Sequence, residues 1–140
     1  MADTIISHSP SETWQAGESL ARNLPGGAVV ALCGDLGAGK TQFCRGLLAG
    51  LGGDPDEVTS PTFPLVHEYI SANVPVFHFD FYRLESEQEL TGIGWNDFLQ
   101  ADGILIVEWA DKFPGSLPQD TRWVRFHLGE GSVRVLEVGS

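Results

Sequence analysis

The stretch Gly34-Asp35-Leu36-Gly37-Ala38-Gly39-Lys40-Thr41 governs how the rest of the chain is read. It fits G-x-x-x-x-G-K-[ST], the P-loop pattern. Gly34, Gly37 and Gly39 admit backbone conformations that a Cβ would forbid. Successive amide N–H groups can then converge on phosphate oxygens. Lys40 can reach the terminal phosphates of a nucleotide, and the Thr41 hydroxyl can ligate Mg²⁺. The helix that follows points its N-terminus at the same anion. The residues expected against the phosphates are therefore Gly37, Ala38, Gly39, Lys40, Thr41 and Gln42.

The flanking sequence supplies the context that the motif needs. Ala28-Val29-Val30-Ala31-Leu32-Cys33 is a short apolar run suited to a buried parallel strand. From Thr41 to Leu51, Phe43, Leu47, Leu48 and Leu51 recur at helical spacing, and Gly52-Gly53 stops the helix. Strand, glycine loop and helix follow in the required order. An ordinary glycine-rich turn before a helix would leave the Lys-Thr pair unexplained, and Lys40 is one of only two lysines in the chain. Lys40 is expected on a surface loop, where its loss would remove charge but little packing.

The length of 140 residues suggests one domain with a sizeable core. A hydrophobic content of 42%, with 10% aromatic, fits a globular chain rather than a disordered one. No apolar run approaches the roughly 20 residues of a membrane helix, and the N-terminus lacks the basic and apolar segments of a signal peptide. A cytoplasmic location without membrane contact is expected. Cys33 and Cys44 form no C-x-x-C pair and are expected as buried thiols. His8, His67, His78 and His127 lack zinc-site spacing and read as structural or surface residues. The net charge of −11, with only eight Lys and Arg, argues against direct binding of nucleic acid. Any involvement with RNA would then pass through a partner; solubility alone is the plainer reading of the acidity.

Along the chain, Ser9-Pro10-Ser11-Glu12 reads as a capped helix start, and Pro25-Gly26-Gly27 ends that helix. The polar, turn-rich stretch from Gly52 to Pro61 has little to bury. Phe63–Ile70 and Val74–Tyr82 read as an antiparallel strand pair, with Pro64 favouring an edge or a strand start. Ser86-Glu87-Gln88-Glu89 is a second capping box, opening a short helix that Gly92 and Gly94 interrupt, and Trp95–Gln100 adds a turn or two. Gly103-Ile104-Leu105-Ile106-Val107-Glu108-Trp109 reads as a central strand that delivers an acid to the carboxyl edge of a sheet. Arg122–Leu128 and Val133–Val138 form a C-terminal hairpin. The expected fold is α/β and P-loop NTPase-like: a mixed, mostly parallel sheet with helices on both faces, in one domain over residues 1–140.

A P-loop enzyme needs Mg²⁺, and Mg²⁺ needs hard oxygen ligands. Asp80, in His78-Phe79-Asp80-Phe81-Tyr82, and Glu108 both fall at strand ends. Either could touch the metal directly or through water, and spacing does not choose between them. Thr59-Ser60-Pro61-Thr62 lies where a switch threonine would ligate Mg²⁺ when the terminal phosphate is present; an ordinary Ser/Thr turn is the other reading.

Gly34–Thr41, Ser60-Pro61-Thr62-Phe63, His78-Phe79-Asp80-Phe81-Tyr82-Arg83 and Glu108-Trp109 together resemble the TsaE (YjeE) family in order and spacing, over nearly the whole chain. The resemblance implies a small bacterial ATPase needed to make threonylcarbamoyladenosine, the modified base beside the anticodon of tRNAs that read A-starting codons. It implies ATP and Mg²⁺ as ligands and TsaD and TsaB as partners, with tRNA reached only through their complex. It also implies weak hydrolysis alone, stimulated by the partners and supporting their turnover. Lys40 would hold the β- and γ-phosphates, and Thr41 and Glu108 would be Mg²⁺ ligands. Asp80 would be the Walker B-like acid, Thr62 the switch threonine, and Trp109 a support for Glu108 or a partner contact. Ser11 and Thr13 resemble the family's N-terminal nucleotide contact, and Arg134 a C-terminal one. Ala16 stands where a larger aliphatic residue is common. The chain ends soon after its last strand, so no further C-terminal helix is expected, and the free protein is expected to be a monomer. The competing readings are a small-molecule kinase, for which no lid or arginine cluster is evident, and a nucleotide-gated interaction module without hydrolysis. A GTPase is disfavoured, because no D-x-x-G glycine follows Asp80 and no N-K-x-D motif exists.

Overall fold

The computed structural model describes residues 3–34, 39–58 and 65–139. Seven strands form one sheet: β1 (Asp3–Ser7), β2 (Val29–Gly34), β3 (Val66–Tyr69), β4 (Val76–Asp80), β5 (Ile104–Glu108), β6 (Arg122–Leu128) and β7 (Arg134–Gly139). Their order is β1-β7-β6-β2-β5-β4-β3. The four central strands, β6, β2, β5 and β4, run parallel, while β3, β7 and β1 are added antiparallel at the two sides. The expected C-terminal hairpin is β6–β7, and its first strand also completes the parallel centre by pairing with β2.

The apolar runs of β2 and β5 are continuous because both of their faces are covered. On one face, Val30, Leu32, Ile104 and Ile106 pack with Val124 and Phe126 under α1 (Pro10–Arg22) and α2 (Lys40–Gly50). On the other, Val29, Ala31, Leu105 and Val107 pack with Phe79 under α3 (Glu87–Gly92) and α4 (Trp95–Gln100), where Leu90 and Trp95 are buried. Successive residues of each strand thus serve opposite cores.

Both predicted caps form. Ser9 accepts from the Glu12 N–H, with Pro10 opening α1, and Ser86 accepts from the Glu89 N–H at α3. The two P-loop-side helices approach to backbone contact. A Cβ on Gly46 of α2 would lie 2.0 Å from the Trp14 carbonyl oxygen of α1, and one on Gly17 would lie 2.2 Å from that of Phe43. Glycine at both positions therefore locks α1 against α2. β1 is the element that the sequence reading lacks. It is five residues long with no clear alternation, and its extended state comes from pairing with β7 at the far end of the chain.

Candidate functional site

The parallel centre places three strand ends side by side: Gly34 of β2, Glu108 of β5 and Asp80 of β4. Leu32 is the Cα partner of Glu108, and Glu108 that of Asp80. Ligands of open α/β sheets bind outside these carboxyl ends. α2 starts at the same edge with Lys40 as its first residue, so its N-terminal N–H groups face that space. Gly39, with φ +99°, makes the turn into α2, and a Cβ there would meet the Thr13 methyl at 3.2 Å.

Lys40 corrects the surface-loop expectation. It is buried, at 7% exposure, and its Nζ donates to the Gly34 carbonyl at 3.1 Å. The ammonium lies 5.0 Å from the centroid of the Trp109 ring, an electrostatically favourable cation–π distance. Trp109 is the one non-glycine residue with positive φ among the described residues, at φ 58° and ψ 35°. That left-handed conformation costs about 1–2 kcal/mol for an L-residue. The indole it presents is held between Lys40 and Tyr82, whose ring centroid is 4.9 Å away. The turn after β5 thus aims Trp109 at the P-loop lysine.

The two acids have different surroundings. Asp80 accepts from the Tyr82 N–H at 3.0 Å and lies 3.5 Å from Arg83 Nε, both contacts coming from the next three residues. Glu108 is reached from other strands. His78 Nε2 is 2.9 Å from its Oε2, and the Tyr69 hydroxyl is 2.7 Å from His78 Nδ1. Burial favours the neutral form of Glu108, but the adjacent His78 and the charge of Lys40 outweigh it and hold the carboxyl below its usual range. His78, read from sequence as structural or surface, is therefore a buried neighbour of the site. The available signal was its place in β4, two residues before Asp80 and hence on the same side of the strand.

Among the predicted nucleotide contacts, Ser11 and Gln42 line one open cleft of about 330 Å³ between α1 and α2, together with Trp14, Gln15 and Glu18. Thr13 is turned inward instead. It is buried, with its hydroxyl 2.7 Å from Ser7 Oγ. Arg134 does not line that cleft. It pairs with Ser7 across β7 and β1, and its guanidinium donates to the Gly131 and Val133 carbonyls at 2.9 Å. Thr41 occupies the first turn of α2. Gly37, Ala38, Thr62 and Pro64 lie outside the described residues.

The stretch from Gly52 is anchored by hydrogen bonds as far as Val58. A 3-10 turn spans Pro55–Glu57; Asp54 caps it, and the Asp54 N–H donates to Ser71 Oγ at 2.7 Å. Glu57 accepts from the Ile70 and Ser71 N–H groups and the Ser71 hydroxyl. Val58 is buried, and its carbonyl accepts from Arg45 Nε at 3.2 Å. Val58 is the one buried residue of 52–58, in keeping with a stretch that has little to bury, and the anchoring is by hydrogen bonds. Cys33 and Cys44 are free and buried, as expected, and burial raises both thiols. No helix among the described residues is long and apolar enough to cross a membrane.

A mixed sheet with the strand and helix that flank the P-loop motif at its centre, and acids on the neighbouring strand ends, defines an α/β domain of the P-loop NTPase-like class. The family model described as "Threonylcarbamoyl adenosine biosynthesis protein TsaE" matches residues 7–135, and the chain belongs to that family. A Treponema pallidum protein named tRNA threonylcarbamoyladenosine biosynthesis protein TsaE is 36% identical over 96% of this chain and 93% of its own length. The protein of the same name from Haemophilus influenzae is 46% identical over 65% of this chain and 57% of its own, and the Bacillus subtilis one 39% identical over 80% and 69%. The matches to the Haemophilus protein and to two Rickettsia relatives span less than two thirds of those proteins, at 57%, 62% and 59%. The crystal structure of Bacillus subtilis YdiB superposes with a TM-score of 0.80 at 28% identity, covering 99% of this chain and 84% of that one.

Proposed function

We propose that the chain binds ATP and hydrolyses it with Mg²⁺, and that it serves threonylcarbamoyladenosine biosynthesis in tRNA together with a TsaB–TsaD complex. One observation carries the reading: Lys40 at the start of α2 lies at the carboxyl end of β2, with Glu108 and Asp80 ending the next two strands. Family membership supports the tRNA pathway. The acidic balance of the chain supports a route to tRNA through partners rather than by direct contact.

The residues fit a nucleotide-bound Mg²⁺. Such an ion takes one or two protein oxygens and completes its shell with phosphates and water. Thr41 and Glu108 would hold it, and when bound it would neutralise charge on the phosphates. Lys40 binds the β- and γ-phosphates from the α2 N-terminus. Asp80 orients or deprotonates the attacking water, directly or through the outer shell of the metal. Thr62 senses the γ-phosphate. Ser11, Gln42 and the α1–α2 cleft receive sugar or base, while Thr13 shapes the Gly39 turn and Arg134 approaches from β7. The working state is a cytoplasmic monomer when free.

The test is phosphate release by the chain alone and then with a TsaB–TsaD pair added. Slow release that the pair stimulates is expected. Phosphate transfer to a small acceptor would favour a kinase, and tight ATP binding without release, even with the pair, would favour a nucleotide-gated module. Lys40→Met keeps the aliphatic stem over Trp109 and removes the charge. It is expected to weaken ATP binding by about 10–100-fold, the scale of a lost charge-assisted hydrogen bond. Wild-type affinity by calorimetry in that variant would overturn the assignment of Lys40.

A further inference from the structure

Tyr69, His78 and Glu108 come from three adjacent strands, β3, β4 and β5, and form a continuous polar line inside an apolar face. Tyr69 is 1% exposed and His78 2%. The phenol is 2.7 Å from Nδ1, and Nε2 is 2.9 Å from Glu108 Oε2. Burying a tyrosine hydroxyl and an imidazole costs stability unless both are hydrogen-bonded, so the line needs all its members. Its polarity follows from its ends. Burial keeps the phenol protonated, so its O–H is available to Nδ1. In the neutral ring, an Nδ1 that accepts this O–H leaves the ring proton on Nε2, which lies 2.9 Å from Glu108 Oε2. The packing of His67 against Tyr69, at 4.8 Å between ring centroids, holds the tyrosine from the other side.

We propose that His78 is a positioning residue for the metal-binding carboxylate, and that Tyr69 sets the His78 tautomer that performs this role. The proposal rests on the reading of Glu108 as a Mg²⁺ ligand. One carboxylate oxygen is committed to His78, which restricts the rotation of the group and leaves the other oxygen to the ion. Partners that orient a metal ligand in this way typically change metal affinity by about 10–100-fold when removed. Among the described residues, the carboxylate of Asp80, the neighbouring acid, is held from its own turn by Tyr82 and Arg83, so the line singles out Glu108.

The experiment is calorimetric titration of ATP into the full chain over a range of Mg²⁺ concentrations, with ATP in the absence of metal as the reference. In His78→Ala, the Mg²⁺ concentration for half-maximal enhancement of ATP binding should rise about 10–100-fold. Metal-free ATP affinity should stay within about twofold. His78→Gln, which returns an N–H donor, should recover part of the loss. Tyr69→Phe keeps the ring volume and should shift the Mg²⁺ dependence in the same direction by less; it carries the test if His78→Ala fails to fold. An unchanged Mg²⁺ dependence in Tyr69→Phe and in whichever His78 variants fold, or an equal loss of metal-free affinity, overturns the proposal and leaves the ATPase reading standing. If the wild-type protein binds ATP equally with and without Mg²⁺, the ATPase reading itself falls, and the proposal with it.

Discussion

The ends of β4 and β5 each carry one acid, and the two acids are held by opposite means. Asp80 is fixed by its own sequence: Tyr82 and Arg83 follow it and close a 3-10 turn back onto its carboxylate. Glu108 is fixed by the tertiary fold, through His78 on β4 and, behind it, Tyr69 on β3. The local arrangement leaves Asp80 beside a half-exposed arginine that can move. The tertiary arrangement buries the supports of Glu108 and leaves its carboxylate little freedom. A metal ligand benefits from the second arrangement, because a fixed oxygen loses little entropy on coordination. A residue that manages a water molecule benefits from the first.

Breaking the tertiary end should have the largest consequence. Glu108→Ala is expected to abolish the gain in ATP affinity that Mg²⁺ provides, and hydrolysis with it, while metal-free binding persists; titration with and without Mg²⁺ measures both. Breaking the local end should act on rate. Asp80→Ala is expected to slow phosphate release by about 10²-fold, the lower end of a general acid–base contribution, with Mg²⁺-dependent affinity within about threefold of wild type. Equal effects of the two substitutions on both quantities would erase the contrast drawn here.

The smallest effect sharpens the same contrast with a third carboxylate. Glu57 is held below its ordinary value of 4.5 first by the Ser71 hydroxyl and then by the Ser71 and Ile70 N–H groups, at an exposed site away from the strand ends. A carboxyl with a lowered folded-state pKa adds stability that is present above its unfolded value and lost as pH falls through the folded one. Glu57→Gln should therefore flatten the acid-side fall of Tm below about pH 4.5 while leaving nucleotide binding near wild type. An unchanged profile by thermal melts at pH 3 to 7 would show that the Ser71 contacts do not hold this acid.

Much of the fold was legible because its signals are local. The apolar runs of β2 and β5, the capping boxes at Ser9 and Ser86 and the glycine stops act over a few residues each. The P-loop spacing likewise put Lys40 and Thr41 at a helix start, and the strand-end acids could be named from their runs. Four features were not legible. β1 exists through pairing with β7. Lys40 is buried because the Trp109 turn takes a left-handed conformation that brings the indole over it. Residues 52–58 are anchored by Ser71 and Arg45, from separate elements. His78 reads as an isolated histidine until the sheet order β5-β4-β3 sets it between Glu108 and Tyr69.

The sequence by itself determined the P-loop motif, the order of the strand and helix that flank it, and the two acids, since each depends on residue type and short-range spacing. The tertiary structure alone decided how the acids differ. Strand order and register bring side chains from two other strand positions to Glu108, while among the described residues the Asp80 carboxylate is held from its own turn, and a hydrogen bond exists only where its two ends are brought within about 3 Å.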